Sequence, residues 1–138
     1  MDNVLDVFII LTKGHSILFV ILLLANILDW LTGWAKARIK RIENSQAGYI
    51  GILKKISIWI IVLVAFLVTY ALKELGILMK IDLSVAQFMG WFVVISLIFN
   101  ELRSILENLV ECDIKVPTIL VQGLEIFQKK INQIIRMK

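Results

Sequence analysis

Read as apolar and polar positions, the chain alternates long greasy blocks with short charged ones. A bilayer core about 30 Å thick takes roughly 20 mostly apolar residues in a helix. Three blocks have that character. The first, Ser16 to Ala35, reads SILFVILLLANILDWLTGWA and is interrupted only by Asn26, Asp29 and a few small polar residues. The second, Ile56 to Leu72, carries no charge, and the third, Leu83 to Phe99, is near the short limit and extends to Asn100 if the helix runs on. Period-two alternation is absent, which rejects a β-barrel, and hydrocarbon otherwise tolerates only helices. The expected fold class is therefore an all-α membrane protein with three transmembrane helices, at about 16–35, 56–72 and 83–100, forming a single membrane domain over 1–138. Residues 4–12 are apolar but too short to cross, and Gly14 interrupts them. Residues 1–15 are thus expected to form a short interfacial segment or the first turns of a long tilted span.

Beyond Glu101 the pattern turns polar but stays helical. Leu102, Ile105, Leu106, Leu109 and Val110 recur at steps of three and four, so the third span is expected to continue into a cytoplasmic helix. Arg103 and Glu107 form an i, i+4 pair on its other face. Asp113 and Pro117 mark a break, because proline disfavours helix in the residue before it. Then Leu120, Leu124, Phe127, Ile131 and Ile134 repeat at four and three, a heptad seam on an amphipathic helix over about 118–136. The tail, 101–138, can lie on the inner leaflet with the help of Lys129, Lys130, Arg136 and Lys138, associate with itself, or dock on a partner.

Composition agrees with the pattern. The 138 residues are 59% hydrophobic and 19% charged, with a mean hydropathy of +0.88, whereas soluble domains average ~45–50% apolar and ~25% charged. A soluble enzyme is nearly excluded. The net charge of +4 could suggest nucleic acid, but the cations sit beside the membrane blocks, which argues for lipid and against nucleic acid. Lys36, Arg38, Lys40, Arg41, Lys54 and Lys55 face only Glu43 across 36–55, giving +5. That basic loop is expected in the cytoplasm, because Lys and Arg near membrane ends are retained there. The 73–82 connection is neutral, so the N-terminus is expected outside and the C-terminus inside. Residues 1–15 carry −1 and no A-x-A-like site follows, so the first block reads as a retained span and not a cleaved signal. Trp30, Trp34, Tyr49 and Tyr70 fall near span ends, while Trp59 and Trp91 lie deeper, where packing against neighbouring helices is expected. Cys112 is single, which precludes an intrachain disulfide.

Chemistry is sparse. No catalytic triad, phosphate-binding loop or metal cluster is legible; Gly48-Tyr-Ile-Gly51 is too short for dinucleotide binding and His15 stands alone, so neither an enzyme nor a cofactor is expected. The informative polar residues lie inside the spans, since an ionisable group at the centre costs ~2.5–3.5 kcal/mol to expose to lipid on insertion scales. Asn26, Asp29 and Gly33 share one face of the first span. That face either lines a water path or oligomer seam, or Asp29 simply reaches the headgroups or pairs with Lys54, Lys55 or Arg103. Ala86 and Gly90 are four apart and permit close helix approach, while Ser96, Asn100, Arg103 and Glu107 form a second polar stripe. A selective channel or transporter is disfavoured, because one near-boundary acid and no inverted repeat offer little for selectivity.

The string Asp29-Trp-Leu-Thr32-Gly33, followed by Ala37, Ser45, Gly48 and Gly51-Ile-Leu-Lys54-Lys55, resembles the toxin secretion/phage lysis holin family. The resemblance continues through Asn100-Glu101-Leu-Arg-Ser104-Ile-Leu-Glu107-Asn108 and Val116-Pro117, spanning roughly residues 20–125. It implies a multi-pass protein of the bacterial cytoplasmic membrane that forms homo-oligomeric lesions. An endolysin, or in clostridial relatives a large toxin, passes through them as cargo. A non-lytic, toxin-specific exporter of the same family and a small adaptor recruiting a cytoplasmic partner through its tail helix are the alternatives. Glu111-Cys112-Asp113 stands where the family pattern leads one to expect a glycine.

Overall fold

The computed structural model describes residues 15–136. Except for His15, the expected interfacial segment lies outside the described residues. Helix α1 runs Ser16–Ile39, α2 Ser45–Met79, a 3-10 turn spans Ser84–Phe88, α3 follows at Met89–Glu111 and α4 at Thr118–Arg136. Among the described residues there is no strand, and the helices long and apolar enough to span a membrane are α1, α2 and the turn with α3.

The helices outrun the apolar blocks. The segment 36–55, expected as a loop, is helix on both sides of a turn at 40–44. Lys36 and Arg38 suit the negative end of the α1 dipole. Asn44 then caps α2, its Oδ1 accepting the Gln46 N–H at 2.9 Å. The third span starts where expected, at Ser84, but in a tighter form: Ala86 falls in the 3-10 turn, and regular α-helix begins at Met89. Asp82 opens that turn by accepting the Ser84 N–H at 2.9 Å, and this bond holds its carboxyl below the usual value.

Three helix ends close on a non-glycine residue in the left-handed region: Arg41, Lys80 and Asp113, with φ of 53°, 56° and 61°. The α3 end shows the Schellman pattern. Ile114 N–H reaches Leu109 O at 3.1 Å and Asp113 N–H reaches Val110 O at 3.0 Å. Asp113 thus adopts the backbone conformation that the missing glycine would supply, which short polar side chains tolerate. Pro117 then precedes α4, its carbonyl accepting from Leu120 N–H at 3.0 Å.

Helices α1 and α3 run parallel and form the main pair, and α2 returns antiparallel. His15 and Phe19 of α1 meet Trp91 at one end, and Lys36 and Lys40 meet Glu111 at the other. Between them lies a small core of Leu22, Val62, Phe66, Val94 and Ile98, with Trp59 and Trp91 packed against it. Phe66 and Trp91 meet edge to face with centroids 5.1 Å apart. Gly90 makes this possible: a Cβ there would lie 2.9 Å from Phe66 Cε1, and its N–H donates to Thr69 Oγ1 at 3.1 Å. Most large apolar side chains of the spans face outward, Leu63 and Leu67 each at 58% exposure, as lipid-facing surface requires.

Candidate functional site

At the end that carries the basic turn, the apolar core gives way to a polar clamp joining all three spans. Its centre is Lys55 of α2, whose Nζ donates to Asp29 Oδ2 of α1 at 2.5 Å and to Glu101 Oε2 of α3. Asn108, two turns along α3, donates through Nδ2 to Asp29 Oδ1 at 3.2 Å and Thr32 Oγ1 at 3.2 Å, with the Asp29 carbonyl at 3.5 Å. Thr32 Oγ1 in turn donates to the Asp29 carbonyl at 3.1 Å. The side chains are withdrawn from solvent: Glu101 is 4% exposed, Asp29 14% and Lys55 20%. One cation between two carboxylates leaves a formal −1, offset in part by the amide donors.

A turn deeper, Asn26 is 5% exposed. Its Nδ2 donates to Leu22 O at 2.9 Å, while its Oδ1 is buried without a partner. Such an acceptor is costly in a dry interior. Asn26, Asp29 and Gly33 therefore do share a face, and in the single chain it faces α3: a Cβ on Gly33 would sit 3.6 Å from Asn108 Nδ2.

The remaining sequence candidates divide by location. Ser96 bonds back to the Phe92 carbonyl at 2.7 Å, Asn100 is exposed, and Arg103 pairs with Glu107 at 2.7 Å on the surface. These do not join the clamp. Lys36 and Lys40 reach Glu111 at 3.5 and 3.2 Å, and Arg38 reaches Glu43 at 3.7 Å while lying 5.4 Å over the Trp34 ring. Ser45, Gly48, Gly51 and Lys54 of α2 line a cavity of about 790 Å³ against the end of α1, into which Asp29, Gly33, Ser104 and Asn108 also open. Motif residues scattered from Asp29 to Asn108 thus converge on one end of the bundle. In the tail, Val121 and Leu124 face Leu106 and Val110 of α3 across a groove of about 500 Å³, while Leu120 is 52% exposed. Phe127, Ile131 and Ile134, the rest of the expected seam, have side chains outside the described set.

Lys55 and Glu101 are the positions whose role the sequence pattern understated. Lys55 reads as a loop cation and one of three candidate partners of Asp29, with no sign that it also reaches α3, and Glu101 reads as the first polar residue past the span. A signal for Glu101 exists: Val94, Ile98, Glu101, Ile105 and Asn108, all buried, follow a 4-3-4-3 spacing, which places both polar residues on the core seam. Among the described residues no group of His, Cys, Asp and Glu could hold a metal ion.

A sequence profile of the bacteriophage holin family matches residues 6–129. The chain belongs to the bacteriophage holin family. An uncharacterised protein of Halalkalibacterium halodurans is 34% identical over 113 residues, covering 82% of this chain and 79% of its own length. No solved structure matches. Membership together with the three spans makes this holin-family chain a multi-pass protein of the bacterial cytoplasmic membrane.

Proposed function

We propose that this chain is a holin in the operational sense: it accumulates in the cytoplasmic membrane, self-assembles, and opens lesions that let a folded endolysin or a large toxin pass. The observation that carries the reading is the clamp. A lone chain needs Asn26, Asp29, Lys55, Glu101 and Asn108 turned inward, because lipid would not solvate them. The exterior is left apolar and gives neighbouring chains little drive beyond packing and polar contacts. Separating the helices would break the clamp and put the same groups on a wall that water can hydrate. Assembly with opening then trades internal polar contacts for hydration, a change that requires many copies together and so sets in steeply with concentration. In this reading the basic end faces the cytoplasm, as Lys36, Arg38, Lys40 and Arg41 favour. No substrate or catalytic step is involved.

The test is induction in a bacterial host, with membrane potential and the release of a folded cytoplasmic reporter followed together. Collapse of potential with reporter release is expected. Sustained potential at high membrane levels of the protein would overturn the proposal. If unrelated reporters stay inside while a co-encoded toxin leaves, the alternative of toxin-specific export takes its place.

A further inference from the structure

The cavity between the basic ends of α1 and α2 is not used by the clamp, although the two share a floor. Its walls carry Lys36, Arg38, Lys54 and Lys55 against Asp29 and Glu43, an excess of positive charge. Lys55 is committed to Asp29 and Glu101. The Lys36 and Arg38 pairs with Glu111 and Glu43 are long, at 3.5 and 3.7 Å, and solvent-exposed on the acid side, so they are easily redirected. Lys54 is exposed and makes no ion pair among the described residues. Trp30 and Trp34 flank the opening where α1 passes from apolar residues to Lys36, the depth of the headgroup layer. Space is kept by Gly48 and Gly51, where an added Cβ would meet nothing within 4 Å. The fold itself does not require these glycines, so the room they leave is free for a guest.

We propose that this cavity binds the headgroup of an anionic phospholipid, with Lys54, Arg38 and Lys36 taking the phosphate and Trp30 and Trp34 lying along the glycerol region. The shared chemistry is a phosphate with an attached polar group. A lipid is favoured over soluble phosphate because the cavity opens at the bilayer edge, beside tryptophans that suit the interface. Occupancy would add a second bridge between α1 and α2 beside the Lys55–Asp29 pair, in a helix pair that otherwise touches little, and would couple the clamp to lipid composition.

The test uses the full chain in phosphatidylcholine vesicles that contain phosphatidylglycerol as a minor component, with bromine placed on the acyl chains of one lipid or the other. Quenching of intrinsic tryptophan by brominated phosphatidylglycerol should exceed that by brominated phosphatidylcholine at equal mole fraction. Lys54→Gln should weaken this preference about fivefold, as one cation near an anionic surface is worth. The Gly48→Leu/Gly51→Leu pair, which crowds the α2 wall of the cavity beside Lys54, should weaken it further, with helix content checked by circular dichroism. Lys129→Gln in α4 should leave it unchanged. Equal quenching by both lipids in the parent, or a preference that neither Lys54→Gln nor the leucine pair reduces, overturns the site. Loss of preference on adding inorganic phosphate, but not chloride at equal ionic strength, supports recognition of the lipid phosphate; equal loss with both salts marks non-specific attraction to an anionic surface and overturns the site. Because the vesicles carry the same lipids in both leaflets and no lysis is scored, neither orientation nor pore formation affects the outcome.

Discussion

Replacing Lys55 by methionine keeps the length and apolar stem of the side chain and removes only the charge that joins three helices. Asp29 and Glu101, 14% and 4% exposed, are then left facing each other without a cation. Breaking a buried ion pair by removing one partner costs about 3–5 kcal/mol. Exposing a carboxylate at the bilayer centre costs ~2.5–3.5 kcal/mol on insertion scales, an upper bound for a site beside the headgroup layer. The ion-pair route sets the expected loss, near ~3 kcal/mol, a large share of the stability of a small domain. Neutralising the acids should restore it stepwise: Lys55→Met/Glu101→Gln returns the formal charge to −1, and adding Asp29→Asn returns it to zero. The triple variant should lie within about 1 kcal/mol of the parent, since charged clusters replaced as a unit are often neutral in stability. The assay is unfolding of the reconstituted chain in bicelles by a denaturing detergent, followed by tryptophan emission; Trp91, held between Phe19 and Phe66, reports loss of the core. A loss below about 1 kcal/mol, the value of a surface pair, would refute the reasoning. So would a triple variant no more stable than Lys55→Met alone.

Other substitutions probe separate contacts. Gly90→Ala should destabilise by about 1–3 kcal/mol, because its Cβ would press on Phe66 at 2.9 Å; the same detergent titration reads it, and Phe66→Leu in the same chain should recover part of the loss. Asp113→Gly should stabilise by about 0.5–1 kcal/mol, since φ is 61° there, visible as a raised melting temperature. Asn26→Leu should stabilise the single chain by about 1–2 kcal/mol by removing an unpartnered buried acceptor, yet delay loss of membrane potential on induction, since it removes a group proposed to be hydrated in the open assembly. A more stable chain with unaltered timing would count against that assignment of Asn26.

The membrane-spanning helices were legible because burial in lipid selects for long apolar runs, which a linear pattern displays directly. Their ends were not, because a helix can continue through polar residues once it is capped. Asn44 starts α2 well before its apolar block, and the turn at Ser84 delays α3. Asp29 was legible as an ionisable residue in the wrong solvent, with Lys55 among its expected partners. Glu101 was not, since only the combined register of three helices brings it to that ammonium. Gly90 showed as a small residue suited to close approach, but that the approach is to Phe66 within the chain depends on the tertiary fold.

Between its charged collars at Lys54–Lys55 and Lys73–Glu74, the long central helix offers Ile56 to Leu72, roughly 25 Å of greasy rod at about 1.5 Å per residue. A hydrocarbon layer of about 30 Å is thicker than that, so it puckers inward along this face of each copy to the extent that Lys54 and Lys73 do not reach out to the headgroups. Puckers that overlap strain fewer lipids than puckers apart, and crowding alone becomes an elastic force drawing copies together. Host membranes with shorter acyl tails should relax that pull and postpone clustering.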